Sequence, residues 1–562
     1  MARKINYDNW SKEELIKELR RIKETKYGLV WHRDLPEEKI DILINPDART
    51  PSEMFPNEMA GRPFPILKEI KSKEINGDTT KPVNLLIEGD NYHSLAVLNF
   101  THQEAIDCIY IDPPYNRGGD FLYTDKYKSD YVQKEDPFRH SKWISFMEKR
   151  LKLARNLLSK SGVLFISIDD SEFAPLRMLC DEIFGGEFVD VMIWRKSGDG
   201  RYGKMKNTTT FRKDHEYIIV CFKKERRLNK LKEIPQFLNE YGNPDNDPRG
   251  PFKAGSISRK ETASNPHHKN YYEVVSPSSK KFKRQFDVSK NKFLELDKDK
   301  RIYWGRNNNA VPAIKIFLQE ERRITPYSVL LTKGTTTEGT EELNTILGGD
   351  YSELRPKPST VIKTLIQLGS KEDSTVIDFF AGSGTTGQAV LQLNKADRGN
   401  RKFILCTNNE NKICTDVCYP RIKKVGSGYK NAKGEKIPGL DTNLKYYVCD
   451  FVEAEPTDRN KRKLVNESTE MLCIRENTFE LVQDERDFKI FKNRTNYIGI
   501  IFYEEAIGDF KKAIKKIKGH FNTYVFSLGD DPHEKQFADV KSKVTLCAIP
   551  EVVLKVYREI FK

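Results

Sequence analysis

Two short motifs, separated by nearly half of the chain, carry the residue types that could do chemistry. The first motif is Asp112-Pro113-Pro114-Tyr115, which follows the apolar run 106–111. The second motif is the glycine loop, residues 378–386, which follows Val376 and Ile377 and reads Asp-Phe-Phe-Ala-Gly-Ser-Gly-Thr-Thr. Short apolar runs of this kind are typical of buried strands. Both motifs are therefore predicted to lie at the carboxyl ends of strands, where open α/β sheets bind ligands.

The Asp-Pro-Pro-Tyr motif could hold and activate an amino group on a planar base. An exocyclic amine is a weak nucleophile because its lone pair is delocalised into the ring. Asp112 and the Pro113 carbonyl could accept its two hydrogens, and Tyr115 could stack on a base taken out of a duplex. Positioning and oriented dipoles would then supply most of the rate. A Pro-Pro turn that merely ends a strand is the structural alternative.

The glycine loop is predicted to bind a nucleotide-like cofactor. Gly382 and Gly384 allow close approach of the backbone, and a helix that begins at Thr385 offers its N-terminus. No lysine follows the last glycine, so this is not a phosphate-binding Walker loop. Asp378 and Phe380 favour a cofactor with a charged amino-acid part and an adenosine, although a structural turn remains an alternative.

Together the two motifs resemble those of the amino-group DNA methyltransferases that use S-adenosylmethionine. The catalytic motif precedes the cofactor motif, which is similar to the β-class order of that family. More narrowly, the chain resembles the modification (Mod) subunit of type III restriction–modification systems, at segments 86–91, 169–172, 355–358, 407–411 and 471–480. The resemblance implies a circularly permuted, Rossmann-like methyltransferase with an inserted target recognition domain.

The resemblance also implies roles for individual residues. The target amine would be held by Asp112, Pro113, Pro114 and Tyr115. S-adenosylmethionine would contact Asp90, Lys357, Asp378, Phe380, Ala381, Gly382, Gly384, Thr385 and Glu410. Within this set, Asp90 is expected near the adenine and Glu410 on the ribose, whereas Lys357 has an alternative as an ordinary helix-start lysine. Asp rather than Ser at position 112 favours adenine N6 over cytosine N4.

The elements that must position these motifs alternate between strand and helix, which predicts a doubly wound, mostly parallel α/β sheet. We predict five regions: an N-terminal arm (1–80), a catalytic half (81–222), a target recognition domain (223–345), a cofactor-binding half (346–438) and a C-terminal α+β domain for interaction or dimerisation (439–562). A capping box of Ser11 and Glu14 predicts a helix in the arm that continues through Lys26.

Excess positive charge is confined to one segment of the chain. The net charge is +14, and residues 195–330 contain 31 basic and 16 acidic residues. This concentration predicts a polyanionic partner, double-stranded DNA. Candidate phosphate contacts are Arg201, Lys204, Lys206, Arg249, Lys253, Arg259 and Arg306. Residues 306–309, Arg-Asn-Asn-Asn, could read bases, with an ordinary turn as the alternative.

Other features limit the class of protein. No apolar run reaches the length of a membrane span, and nine scattered cysteines fit reduced thiols in a cytoplasm. The resemblance implies that this is the prokaryotic cytosol. No metal site is predicted, because Cys414 and Cys418 lack a matching ligand pair. The missing Walker lysine means that cleavage would need a separate helicase–nuclease restriction subunit, and the resemblance implies a homodimer. The alternatives are a solitary methyltransferase for cytosine N4, RNA or a protein glutamine, and an idle DNA-binding subunit.

Overall fold

The structure is a computed structural model. It describes residues 10–17, 63–116, 139–197, 210–211, 213–232, 240–320, 322–331, 334–431, 433–453, 455, 457–493, 496–527, 533–549 and 553–554. The chain divides into two compact units, one formed by Met1–Asn229 with Tyr327–Lys562 and the other by Lys230–Pro326. We call them the large unit and the small unit.

The strands, in chain order, are β1 (Phe64–Glu69), β2 (Val83–Glu88), β3 (Ile106–Ile111), β4 (Leu158–Ile168), β5 (Val189–Arg195), β6 (His215–Phe222), β7 (Leu231–Lys232), β8 (Phe252–Ser256), β9 (Tyr271–Val275), β10 (Lys281–Gln285), β11 (Ile302–Tyr303), β12 (Ala313–Phe317), β13 (Arg323–Ile324), β14 (Val329–Leu330), β15 (Thr375–Asp378), β16 (Lys402–Thr407), β17 (Gly428–Lys430), β18 (Lys436–Pro438), β19 (Asn443–Val452), β20 (Glu480–Asp484), β21 (Phe488–Lys492), β22 (Tyr497–Ile501), β23 (Phe521–Val525) and β24 (Val544–Leu546).

The α-helices, in chain order, are α1 (Asn91–Thr101), α2 (Arg139–Leu157), α3 (Phe173–Phe184), α4 (Lys290–Lys298), α5 (Thr336–Leu347), α6 (Ser359–Gly369), α7 (Thr385–Asp397), α8 (Tyr419–Ser427), α9 (Asp458–Glu476) and α10 (Ile507–Lys515). None of the helices in the described part of the chain has the length and apolarity that crossing a membrane requires.

A ten-stranded sheet forms the centre of the large unit, in the order β1-β19-β2-β16-β15-β3-β4-β6-β5-β14. Six of its nine strand pairings are parallel, and β6 runs antiparallel to both of its neighbours. The helices pack in two groups, with α1, α2, α3 and α9 in one and α5, α6, α7 and α8 in the other. The mostly parallel, doubly wound α/β fold that the sequence predicts is confirmed.

Strand order brings together the two motifs that the sequence separates. In the central sheet β3 pairs directly with β15, with Cys108 opposite Val376 and Ile109 opposite Ile377. Because the two strands are parallel, their carboxyl ends lie at the same edge of the sheet. The Asp-Pro-Pro-Tyr motif after β3 and the glycine loop after β15 are therefore neighbours.

The structure differs from the predicted boundaries at both ends of the large unit. The predicted N-terminal arm contains β1, and the predicted C-terminal domain contains β19, yet both strands belong to the central sheet. β19 pairs in parallel with β2, and β1 pairs antiparallel with β19. Buried Leu444, Tyr446 and Tyr447 explain why β19 packs in the core instead of starting a separate domain.

The described part of the N-terminal arm begins with the predicted capping box. The backbone N–H of Glu14 donates to Ser11 Oγ at 3.2 Å, and the N–H of Ser11 donates to Glu14 Oε2 at 2.7 Å. Residues 12–17 are helical, and the rest of the helix predicted through Lys26 lies outside the described residues.

The small unit has its own core, in which Phe286, Phe293 and Trp304 are buried. It contains a three-stranded sheet in the order β11-β12-β8 and the two-stranded hairpin β9–β10. Part of the predicted recognition domain lies outside it: β14 joins the central sheet, and Leu343 of α5 packs on Ile413 and Val417.

A second sheet of the large unit has the strand order β20-β21-β22-β23-β24. Buried side chains of α10 and β23, among them Phe510, Ile514 and Phe521, form its core.

Candidate active site

A buried lysine organises the Asp-Pro-Pro-Tyr motif. The Lys357 Nζ lies 2.8 Å from each carboxylate oxygen of Asp112 and donates to the Tyr115 hydroxyl, also at 2.8 Å. The Tyr115 hydroxyl in turn donates to Asp112 Oδ1 at 2.7 Å. The Trp143 Nε1–H donates to the Pro114 carbonyl at 2.6 Å and so holds the turn in place. The motif is thus held rigidly by residues from two distant segments.

A second carboxylate, the buried Glu216, completes this cluster. Its Oε2 lies 3.3 Å from Lys357 Nζ and 3.2 Å from the Tyr115 hydroxyl oxygen, for which it is an alternative acceptor to Asp112. Its Oε1 lies 3.2 Å from Lys196 Nζ. Burial acts to raise the pKa of Glu216, but the two lysines outweigh it and the pKa ends below the usual value. Lys357 therefore balances two carboxylates, one buried and one partly exposed.

The pKa values of the cluster agree with this charge balance. Burial acts to lower the pKa of Lys357, but Asp112 and Glu216 hold it above its usual value. Burial and the two carboxylates raise the pKa of the Tyr115 hydroxyl well above its usual value, so the phenol stays protonated as a hydrogen-bond donor. The Lys357 ammonium also lies 5.0 Å from the centre of the Tyr115 ring.

Sequence reasoning placed Lys357 with the cofactor and did not single out Glu216. The structure instead places the Lys357 ammonium between Asp112 and Glu216. One sequence pattern could have indicated Glu216: it is an acidic residue inside the otherwise apolar strand β6, which reads His-Glu-Tyr-Ile-Ile-Val-Cys-Phe. A buried carboxylate in such a position needs a cation, and Lys357 supplies it.

Another buried carboxylate supports the turn that follows Tyr115. Glu172, fully buried, accepts a hydrogen bond from Asn116 Nδ2 at 2.6 Å, and its Oε1 lies 2.6 Å from His140 Nδ1. Asn116 has a positive φ of 53°, an uncommon conformation that this contact helps to hold. Burial raises the pKa of Glu172.

The glycine loop has the tight geometry that close ligand approach requires. Gly382 and Gly384 have φ values of 49° and 80°, in the left-handed region that glycine adopts at little cost. A Cβ on Gly384 would lie 2.9 Å from Cys418 Sγ, so no larger residue fits without movement. The loop is joined to the start of α1 through Asn91, whose Nδ2 donates to the Phe379 carbonyl at 3.0 Å.

Asp378 anchors the start of the loop from a fully buried position. Its Oδ1 accepts from the Phe380 N–H at 3.0 Å, and its Oδ2 accepts a short hydrogen bond from the Thr386 hydroxyl. Burial raises the pKa of Asp378 to about 7, because these two hydrogen bonds only partly offset the loss of water. A cation placed beside this carboxylate would favour its charged form.

Arg421 holds the far side of the loop and was not found from the sequence. It is fully buried, and its Nη1 donates to Thr385 Oγ1 at 2.7 Å and to Ser383 Oγ at 3.0 Å. Its Nε donates to Gln388 Oε1 at 2.8 Å. Burial lowers the pKa of Arg421 to about 10. An arginine inside the amphipathic pattern of α8 gave no sign of this contact.

Acidic residues lie at the carboxyl ends of three adjacent strands of the sheet, β2, β16 and β15. Asp378 is the last residue of β15. Asp90 follows β2 and accepts from the Tyr92 N–H at 2.7 Å as the N-cap of α1. Glu410 follows β16 and is exposed. The Thr407 hydroxyl, at the end of β16, is buried and has no hydrogen-bond partner among the described residues. Three carboxylates, a glycine cradle and an unpaired hydroxyl fit a cofactor with an ammonium group and a ribose diol.

The candidate DNA contacts fall into three groups. Arg201, Lys204 and Lys206 lie outside the described residues. Arg249 instead makes a structural ion pair: its Nε and Nη2 donate to the two carboxylate oxygens of Asp247 at 2.9 Å, and it stacks on Phe317. It is unsuited to bind phosphate because the buried Asp247 already neutralises it.

The remaining candidates are more accessible. Lys253 is half-buried, with its Nζ 5.5 Å from the centre of the Tyr241 ring. Arg259 and Arg306 are exposed, and neither side chain has a hydrogen bond or ion pair within the part of the chain that the structure describes. These two remain candidate DNA contacts. In the same described part of the chain, no group of three or more His, Cys, Asp or Glu residues could hold a metal ion.

Comparison with known proteins identifies the class of this site. A family model for N6/N4 DNA methylases matches residues 106–417, more than half of the chain, and this range includes both motifs. The chain therefore belongs to the DNA methylase family, which confirms the resemblance seen in the motifs.

Among its relatives, the chain is similar to two type III Mod subunits and to a type II methyltransferase. The chain is 31% identical to the type III restriction-modification enzyme StyLTI Mod subunit of Salmonella typhimurium, over 61% of this chain and 55% of the relative. It is 31% identical to the EcoPI Mod subunit of Escherichia phage P1, over 62% of this chain and 61% of the relative. It is also 31% identical to the type II methyltransferase M.KpnI of Klebsiella pneumoniae, over 64% of this chain and 87% of the relative. The matches thus span less than two thirds of both Mod relatives.

Proposed function

We propose that the protein transfers a methyl group from S-adenosylmethionine to adenine N6 in duplex DNA, as the recognition and modification subunit of a type III restriction–modification system. The observation that carries this proposal is the position of the Asp112 cluster beside the glycine loop, at the ends of neighbouring parallel strands. Membership of the DNA methylase family and the similarity to two Mod subunits support it.

The residues of the Asp-Pro-Pro-Tyr motif hold the target amine. Asp112 presents a carboxylate oxygen to an amine hydrogen, and Lys357 fixes the orientation of that carboxylate. Because Glu216 offers Lys357 a second partner at 3.3 Å, the ammonium can stay in place when the amine enters. As the N–C bond forms and the S–C bond of the donor breaks, the amine loses one proton, which Asp112 is positioned to accept.

The residues of the glycine loop hold the methyl donor. S-adenosylmethionine, when bound, supplies a methyl group on a positively charged sulfur. Asp378 would bind its ammonium group, Gly382 and Gly384 would allow close approach, and Glu410 would accept from the ribose hydroxyls. Phe380, whose ring centre lies 5.9 Å from that of Phe146, would shield the donor from water.

Mass analysis of nucleosides tests the reaction. The purified chain, S-adenosylmethionine and unmethylated genomic DNA are incubated, and the DNA is digested to nucleosides. We expect N6-methyladenine, and we expect none from Asp112→Asn, which removes the carboxylate that accepts the proton. N4-methylcytosine alone would contradict the adenine assignment, and equal product from Asp112→Asn would contradict the assigned site.

The similarity to Mod subunits of type III restriction-modification enzymes supports a separate restriction subunit, whereas the proposed homodimer rests on the motif resemblance alone. A separate restriction subunit would supply cleavage in the prokaryotic cytosol, and the chain would act as a homodimer. Co-expression with a helicase–nuclease encoded beside the gene, followed by affinity purification and light scattering, tests both. A complex that contains the helicase–nuclease would support the type III assignment, whereas a monomer that binds no partner would indicate a solitary methyltransferase.

A further inference from the structure

Two hairpins of the small unit meet at their tips. The β9–β10 hairpin turns at 276–280, and the β11–β12 hairpin turns at 304–312. The Ser278 hydroxyl of the first turn donates to the Asn308 carbonyl of the second at 2.8 Å. We call residues 276–280 and 305–309 the paired tip.

The paired tip stands on a rigid base. Trp304, immediately before the second turn, is buried, and its Nε1–H donates to Asp297 Oδ1 at 2.8 Å. Its ring centre lies 6.3 Å from that of Phe282, just after the first turn, and 6.0 Å from that of Phe293 in α4. Both turns therefore leave the same aromatic core, which fixes their relative positions.

The backbone of the tip bonds to itself and leaves the side chains of the second turn available. The Ser276 N–H donates to the Lys280 carbonyl at 2.8 Å, and the Ala310 N–H donates to the Trp304 carbonyl at 2.8 Å. Four exposed side chains of the second turn make no hydrogen bond or ion pair within the described residues: Arg306, Asn307, Asn308 and Asn309.

Several other cations of the small unit are committed to structural contacts. Arg301 pairs with Asp299 and Glu320, and Lys315 pairs with Asp245 and Asp247. Arg249 is bound to Asp247 in the same network. The paired tip differs from these because it places one guanidinium and three side-chain amides, none with a partner among the described residues, next to one another in the chain.

We infer that the paired tip reads base edges in the major groove of duplex DNA. This inference rests on the proposed DNA substrate and adds the element that selects the sequence. A two-stranded β-ribbon fits the major groove, about 12 Å wide, where arginine pairs with guanine and asparagine pairs with adenine through two hydrogen bonds each. The tip presents both side-chain types together.

The composition of the paired tip argues against other partners. Recognition of single-stranded RNA relies on aromatic side chains that stack on unpaired bases. The tip residues Ser-Pro-Ser-Ser-Lys and Gly-Arg-Asn-Asn-Asn include no aromatic or large apolar side chain. Protein docking surfaces are built around apolar and aromatic anchors, which the tip also lacks.

Sequencing of methylated sites tests the inference. The full-length native chain and the variants Arg306→Ala, Arg306→Lys and Asn307→Ala methylate unmethylated genomic DNA, and the modified sequences are compared. We expect each variant to lose about tenfold or more of its discrimination at one or two positions of the site. Arg306→Lys keeps the charge but loses the two-pronged geometry, so it should lose discrimination while keeping overall affinity.

Two controls separate base reading from charge. Arg259 lies at the opposite end of the β9–β10 hairpin, where its backbone N–H donates to the Gln285 carbonyl at 2.9 Å. Arg259→Ala should weaken binding equally on all sequences. Lys292→Ala, whose ammonium pairs with Glu295 in α4, should change neither affinity nor site.

The outcomes distinguish the inference from the proposed function. An unchanged set of methylated sequences from all three tip variants would overturn the inference and leave the methyltransferase intact. A loss of binding that is uniform across sequences would overturn it as well, because it would make the tip a phosphate contact. If the native chain methylates no DNA, or prefers single-stranded RNA, both the proposed function and the inference are wrong.

Discussion

At the scale of single residues, the candidate site depends on charges buried in compensating pairs. Lys357 balances Glu216, which is buried, and Asp112, whose side chain is 28% exposed. Removing one partner of a buried ion pair leaves the other uncompensated, which typically costs about 3–5 kcal/mol of stability. The loss of the Lys357 charge is therefore expected to destabilise the fold.

Lys357→Met is expected to lower both stability and turnover. The unfolding free energy should fall by about 3–5 kcal/mol, because Asp112 loses its ammonium partner and Glu216 keeps only one of its two lysines. Turnover should fall by about 100-fold, because Asp112 is no longer oriented. Urea unfolding and steady-state methylation measure the two effects. The matched control is Lys363→Met on the same helix, α6, and equal unfolding free energies for the two variants would contradict the assigned role.

A double-mutant cycle tests the coupling of Lys357 to Glu216. Glu216→Gln combined with Lys357→Met should destabilise the chain by less than the sum of the two single changes, because the double variant leaves one fewer unpaired charge. If the destabilisations of the two single variants simply added in the double variant, the contact of 3.3 Å between Lys357 and Glu216 would contribute no interaction energy.

Asp378 should make stability fall as pH rises through neutrality. Its pKa is raised by burial from 3.8 to about 7 in the folded chain, so folding favours the protonated form. That contribution is complete below pH 3.8 and is lost as pH rises through 7. Between pH 5 and pH 8 the native chain should lose about 3 kcal/mol relative to Asp378→Asn, which cannot titrate. Urea unfolding without cofactor measures this difference, and parallel pH profiles would refute the assignment.

At the scale of elements, the sequence predicts a strand or a contact well when the pattern that indicates it lies within a few residues. The strands before Asp112 and Asp378 were predictable, because short apolar runs that end in a turn are local patterns. The partners of Lys357 were not, because Glu216 and Asp112 come from segments more than a hundred residues away. Strand β19 was missed for a related reason: its core position depends on pairing with β2, far earlier in the chain.

Gly384→Ala tests the cradle formed by the glycine loop and α8. The left-handed backbone should cost about 1–2 kcal/mol for alanine, and the new Cβ would also meet Cys418 Sγ. Cofactor affinity, measured by calorimetry, should fall with the unfolding free energy. The double variant Gly384→Ala with Cys418→Ala removes the clash with the Cys418 side chain. It should recover the share of the lost unfolding free energy that comes from this clash, but not the share that comes from the left-handed backbone of residue 384. Full recovery would show that the backbone conformation does not matter.

At the scale of the whole molecule, the positive segment 195–330 should make DNA binding strongly salt-dependent. Neutralised phosphates release counterions, so six to ten contacts would lower the association constant by about 10³–10⁵ between 50 mM and 200 mM salt. Fluorescence anisotropy with a labelled duplex measures this slope. Cofactor affinity serves as the internal control and should change far less. A flat response would remove the electrostatic basis for assigning DNA as the partner.

Residues 77–84 and 442–443 lie in hydrogen-bond contact at the amino end of β2. The Gly77 N–H donates to Asn443 Oδ1 at 2.8 Å, and Asn84 Nδ2 donates to Thr442 Oγ1 at 3.1 Å. The segment that leaves the cofactor-binding half therefore arrives beside the segment that enters the catalytic half. In the sheet, β2 lies between β16 and β19, although β2 comes far earlier in the chain than either of them. Chain order and spatial order are thus separable in this protein, and the closeness of the two motifs depends on the second.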